Sequence, residues 1–292
     1  MMRQAFLYLL LVLAALFWGG SWIVVKQLTA DIDPVLIATM RFVIVSVILL
    51  PVAVWLYAKG ERVKGEDFGM LMLLALSGVV LLYILQYYGV SMTTAINASL
   101  MATFNPAVTL LLSAAFLKEK ISTEKIAAIA VAFLGAFFVI TNGNMNLGAI
   151  AGDILGSLLS LASTSCWAVY TVVSKRATQR HSPLFITTYT SMIGALFFIP
   201  IMLLVSSPIK LVTLPLADWM GLFFLAVLCT VFAYSVWSYS LERLDASKTA
   251  VFIYLVPLFA VLLSYIRLGE SITPYTILGG FLIFSGVYYS TT

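Results

Sequence analysis

Charge is scarce in this chain: only 10% of its 292 residues are Asp, Glu, Lys or Arg, against roughly 25% in an ordinary soluble domain. With 62% hydrophobic residues, no water-soluble fold of this length could hide its apolar surface, which excludes a soluble enzyme or binding domain. Histidine occurs once, at His181, so a His-based metal centre is excluded and neither a metal nor a cofactor is expected. The two cysteines, Cys166 and Cys229, both lie inside apolar runs and read as packing residues rather than a disulfide or metal pair. There is no HExxH, no phosphate-binding glycine loop and no pair of mid-span aspartates, so the signatures of metalloprotease and nucleotide chemistry are missing, and with them an obvious proton or sodium relay. The net charge of +4 reads as a topology signal, with the lipid bilayer as the partner and nucleic acid not expected.

Long apolar runs are what the chain has instead. A helix needs about 20 apolar residues to cross the hydrocarbon. Ten runs qualify: Ala5–Leu28, Pro34–Tyr57, Phe68–Tyr88, Ala95–Leu117, Lys125–Thr141, Gly152–Ser174, Pro183–Val205, Trp219–Tyr239, Ser247–Leu268 and Pro274–Ser290. The first is too long for a signal-peptide core and reads as a mature span. With the N-terminus inside, the inner segments hold twelve basic residues and the outer ones three, Lys26, Lys210 and Arg267. The bias predicts that both termini are cytoplasmic, in a plasma membrane.

The chain also repeats itself. At an offset of 149 residues Trp18 matches Trp167, Lys26 matches Lys175 and Pro34 matches Pro183. From Tyr83 onward the offset is 151: Tyr83 matches Tyr234, Pro106 matches Pro257, Glu119 matches Glu270 and Gly135 matches Gly286. The halves are 1–146 and 147–292. Each holds five spans, an odd number, so the second copy must insert upside down. The loop "LKEKI" carries three lysines with Lys125, whereas its counterpart "LGESI" has none, as inversion requires. Inverted repeats of this kind build secondary transporters, whose substrate site lies near the membrane midplane between the halves.

Polar groups inside spans are expensive and each needs a reason. Arg41 sits about 10 Å into the second span. It either snorkels or binds a neighbouring carbonyl, or it attracts an anionic group at a cavity edge. Trp18, Ser21 and Trp22 share a face of the first span, and Trp167, Tyr170, Ser163 and Ser174 share one in the sixth. Tyr83 and Gln86 in the third span match Tyr234 and Trp237 in the eighth, and Tyr254 lies in the ninth. These rings either line a cavity or pack a core. Asn97, Met101 and Asn105 share a face of the fourth span, just before Pro106. Pro106 and Pro257 each remove one helical hydrogen bond, marking a hinge, a binding site or a packing kink in matching places. Glu119 and Glu270 end their spans as anchors or gate residues.

The order of "WGGSWIVVKQ", "ASLMATFNPAVTLLLSAAFLKEKI", "CWAVYTVVSKRA" and "ASKTAVFIYLVPLFAVLLSYIRLGESI" resembles the EamA-type transporters of the drug/metabolite transporter superfamily, over essentially the whole chain. The resemblance implies an all-α fold of ten helices in two inverted five-helix halves around a central cavity, with helices five and ten peripheral. It also implies export of amino acids or other metabolites. The chain departs from strict duplication at Thr190, opposite Arg41, and at Lys118, opposite Gly269. The expected function is a secondary transporter of small organic metabolites, not an enzyme, working by alternating access. A passive channel, or a carrier of lipid-like or cationic drug-like solutes, is the alternative. One chain holds both halves, so a monomer suffices.

Overall fold

The computed structural model describes residues 2–105, 107–108, 122–146, 148–244, 249 and 251–291, and among them there is helix and no strand. The elements are α1 (Met2–Leu28), α2 (Pro34–Ala58), α3 (Phe68–Ala75) and α4 (Leu82–Met92), the last two joined by a π-helical stretch, Leu76–Leu81. Then come α5 (Ala95–Met101), running into a 3-10 turn at Ala102–Phe104, and α6 (Thr123–Thr141). The second half has α7 (Ala151–Ala177), α8 (Pro183–Val205), and α9 (Leu216–Ala226) joined to α10 (Ala233–Arg243) by a second π stretch, Val227–Phe232. A 3-10 turn, Val251–Tyr254, leads into α11 (Leu255–Leu268), and α12 (Pro274–Thr291) follows.

Among the described residues, seven helical stretches are long and apolar enough to cross a membrane, counting α3–α4 and α9–α10 as one each. The helices Ala95–Phe104 and Phe252–Leu268 are apolar but shorter. The fourth expected span runs beyond Val108 into residues outside the described set, as do the gate positions Pro106 and Glu119. The third and eighth spans, expected as regular helices, are each interrupted by π geometry.

Local chemistry explains the helix ends. Asp33 accepts the Val35 N–H at 2.8 Å and Pro34 opens α2, while Ser182 accepts the Phe185 N–H at 3.2 Å and Pro183 opens α8. A short acceptor before a proline therefore starts the same helix in both halves. Helix α11 ends on Gly269 at φ 65°, a left-handed position that glycine occupies without strain.

The repeat visible in the sequence is a spatial pseudo-twofold. The two π stretches lie 151 residues apart, the same offset as the side-chain matches. Helix α2 packs on its counterpart α8, and α6 on its counterpart α12. In the second crossing a Cβ at Gly135 would meet the Gly279 carbonyl, and one at Gly286 would meet the Ala128 carbonyl. Small residues let these backbones touch, as is usual between membrane helices. Helices α6 and α12 share a separate apolar cluster with α5, around Ile129, Ala132, Ile283 and Val287. The larger core joins both halves around Phe42, Tyr83, Tyr170 and Tyr234.

Candidate functional site

Where the halves meet, pseudo-symmetric side chains meet each other. The hydroxyls of Tyr83 and Tyr234 lie 2.9 Å apart, and the Trp18 and Trp167 rings stand edge to face at 5.5 Å. The Tyr234 hydroxyl also reaches the Gly78 carbonyl, at 3.1 Å. The counterpart carbonyl, Cys229, accepts from Trp18 Nε1 at 2.9 Å and from Arg41 Nη2 at 3.2 Å. Both carbonyls belong to the π stretches. A π turn shifts the backbone hydrogen-bond register by one residue and so spares a carbonyl for side chains, and such turns often occur at functional sites.

Arg41 is the centre of this arrangement. It is 1% exposed, so it does not snorkel. Its Nε donates to Thr230 Oγ1 at 2.7 Å and its Nη1 to the Tyr87 hydroxyl at 2.8 Å. The guanidinium carbon lies 4.3 Å from the centre of the Tyr83 ring, a cation–π contact. A cavity of about 90 Å³ opens beside it, walled by both halves.

Of the residues singled out in the sequence, Trp18, Trp22, Arg41, Tyr83, Gln86, Asn105, Trp167 and Tyr234 line that cavity. Tyr170 and Trp237 stand one layer back: Tyr170 stacks on Trp167 at 5.1 Å, and Trp237 packs on both Trp18 and Trp167. Three others lie elsewhere. Met101 is buried in the α5–α6–α12 cluster, and Tyr254 packs on Phe284 there. Asn97 bonds Thr93 at the Lys26 end of the bundle and lines a separate pocket with Asp153 and Glu270. A shared face of the fourth span thus splits: Asn97 and Met101 already part within α5, and the 3-10 turn at Ala102–Phe104 takes Asn105 out of their α-helical register.

The bundle ends are held by charged side chains on backbone. Glu270 accepts the N–H groups of Ala95 and Ile96, at 2.8 and 3.0 Å, on the N-terminus of α5. Lys26 donates to the carbonyls of Val90 and Thr93 at the end of α4, and its counterpart Lys175 donates to those of Leu241 and Leu244 at the end of α10. Pro257 sits in the first turn of α11, just past the 3-10 turn.

Sequence reasoning missed Thr230 and the Cys229 carbonyl, since no pattern announces a π stretch. The lysine roles did carry a signal. A lysine repeated at Lys26 and Lys175, in copies whose odd span number reads as an inversion, cannot serve a one-sided charge bias in both, and each has a local job.

The chain matches the EamA-like transporter family twice, over residues 5–141 and 154–292, one match for each half of the pseudo-twofold. It belongs to that family. A relative in Archaeoglobus fulgidus, named only as an uncharacterized transporter, is 33% identical over 97% of this chain and 96% of its own length. A probable terminal-alkyne amino-acid exporter of Streptantibioticus cattleyicolor is 28% identical over 78% of this chain and 74% of its own. A protein of known crystal structure matches 98% of the chain and 96% of its own, with a TM-score of 0.69 at 17% identity, which speaks for the fold alone. This EamA member is therefore a multi-pass membrane transporter built from two repeats.

Proposed function

We propose that this transporter carries small organic metabolites, amino acids or close relatives of them, outward by alternating access between its halves. One observation carries the reading: a buried guanidinium faces a cavity whose walls come from both repeats. The relative named for amino-acid export supports the substrate class.

The reading takes the chain as ten spans in two halves, 1–146 and 147–292, acting as a monomer with both termini cytoplasmic in the plasma membrane. The basic-residue bias supports that orientation. The Lys26 and Glu270 end is then external, and the clamp of Glu270 on α5 supports a state closed on that side. The cavity is small, about 90 Å³, which supports a contracted, resting state and disfavours an open channel. Pro257, beside its 3-10 turn, is the hinge and Glu270 the external gate; Pro106 and Glu119 are their sequence counterparts.

The test is flux into proteoliposomes of labelled amino acids. Saturation and acceleration by unlabelled solute on the opposite side are expected, with both lost in Arg41→Ala. Flux linear in concentration and indifferent to the opposite side would identify a channel.

A further inference from the structure

The central cavity has a one-sided charge. Among the residues that line it Arg41 is the single charged one. Its partners Thr230, Tyr87, the Cys229 carbonyl and the Tyr83 ring are all neutral. Among the described residues no carboxylate lies within ion-pair distance of it; the ion pairs there join His181 to Asp67 and Arg243 to Glu242. A guanidinium carries five N–H donors, and three are bound, so two remain. A buried charge without a counter-ion is costly, and evolution normally pairs it.

We infer that the missing counter-ion is the substrate's own carboxylate, and that an amino group is not needed for recognition. The inference rests on the transport reading above and narrows it. An ammonium in this cavity meets no acid. It finds the neutral side chains of Ser21, Gln86 and Ser163 and the faces of Trp18 and Trp167, with the Arg41 charge opposing it. A carboxylate takes the two remaining guanidinium donors as charge-assisted hydrogen bonds. The wall around it is largely aromatic and aliphatic and suits a short apolar body. The substrate class is therefore the small organic monocarboxylates, of which amino acids are the aminated members. The same charge disfavours the cationic drug-like solutes of the alternative reading.

Titration calorimetry on the purified chain in detergent tests this with two matched sets: valine, isovalerate and isobutylamine, and phenylalanine, phenylpropionate and phenethylamine. Within a set the body is constant, while the amino group or the carboxylate is deleted. The expected order is that the deaminated acid binds within about tenfold of the amino acid, whereas the amine is weaker by roughly thirtyfold or more, the usual loss when one partner of a buried charge pair goes. In Arg41→Gln the acid loses that advantage over the amine. An amine binding as tightly as the acid overturns the inference. So does an amino acid that binds while its deaminated partner does not, although amino-acid transport would then stand. Binding by none of the six removes both readings. The wild-type series decides the question even where Arg41→Gln does not fold.

Discussion

At the scale of single residues, Arg41 shows how an expensive group is kept. Its charge is spread over a hydroxyl of α4, a hydroxyl and a carbonyl of the second π stretch, and the face of Tyr83. Tyr87→Phe removes one of these partners without changing the shape of the site. Leaving a buried donor unmatched costs about 1–3 kcal/mol, so the variant should melt at a lower temperature in detergent; an unchanged melting temperature would show that Nη1 is satisfied elsewhere. Trp167 sets the size of the cavity and stacks on Tyr170. Trp167 is only partly buried, so Trp167→Ala should cost less than the ~3–5 kcal/mol of deleting a fully buried ring, whereas Trp167→Phe, which keeps an aromatic wall, should fold normally and admit bulkier solutes in a competition assay. Arg41, Trp18, Trp167, Tyr83 and Tyr234 were legible in the sequence because in-span polarity and duplication single them out. Thr230 was not, because its place beside Arg41 depends on backbone geometry two-thirds of the chain away.

At the scale of elements, the duplicated features are those that bring backbones together or hold their ends. The helix order and the matched prolines that open α2 and α8, Pro34 and Pro183, could be read from periodicity and paired residues. The π stretches and the 3-10 turn that diverts Asn105 from Met101 could not, since no residue pattern marks them. The α6–α12 crossing offers a test of the pseudo-twofold. A Cβ at Gly135 or at Gly286 runs into the carbonyl of the opposite helix, so Gly135→Ala and Gly286→Ala should each destabilise by about 1–3 kcal/mol, the usual cost of overpacking. Unequal losses, measured by thermal melting of the two variants side by side, would mean that the crossing is not symmetric. Lys26→Met should also destabilise, by about 1–3 kcal/mol, because the carbonyls of Val90 and Thr93 lose their donor.

At the scale of the whole molecule, the question is what holds the two halves in this state. Glu270 belongs to the second half and caps α5 of the first, while Asp153, also of the second half, accepts from Thr93 at the same junction at 2.7 Å. These bonds join parts that must separate if the halves rock, so their strength sets the balance between closed and open states. Glu270→Gln keeps the size of the side chain but removes its charge from a helix N-terminus and turns one acceptor into a donor aimed at an N–H. Losing a charged hydrogen bond of this kind is worth about 1.5–3 kcal/mol, and 1.4 kcal/mol is a factor of ten in a two-state equilibrium, so the open population should rise by at least about tenfold. A cysteine introduced at Asn97, which lines the pocket beside Glu270, reports on it through its rate of labelling by a membrane-impermeant maleimide added from outside. Faster labelling in the Glu270→Gln background is the expected result. An equal rate in the two backgrounds would mean that Glu270 anchors a helix end and plays no part in closing that end of the bundle.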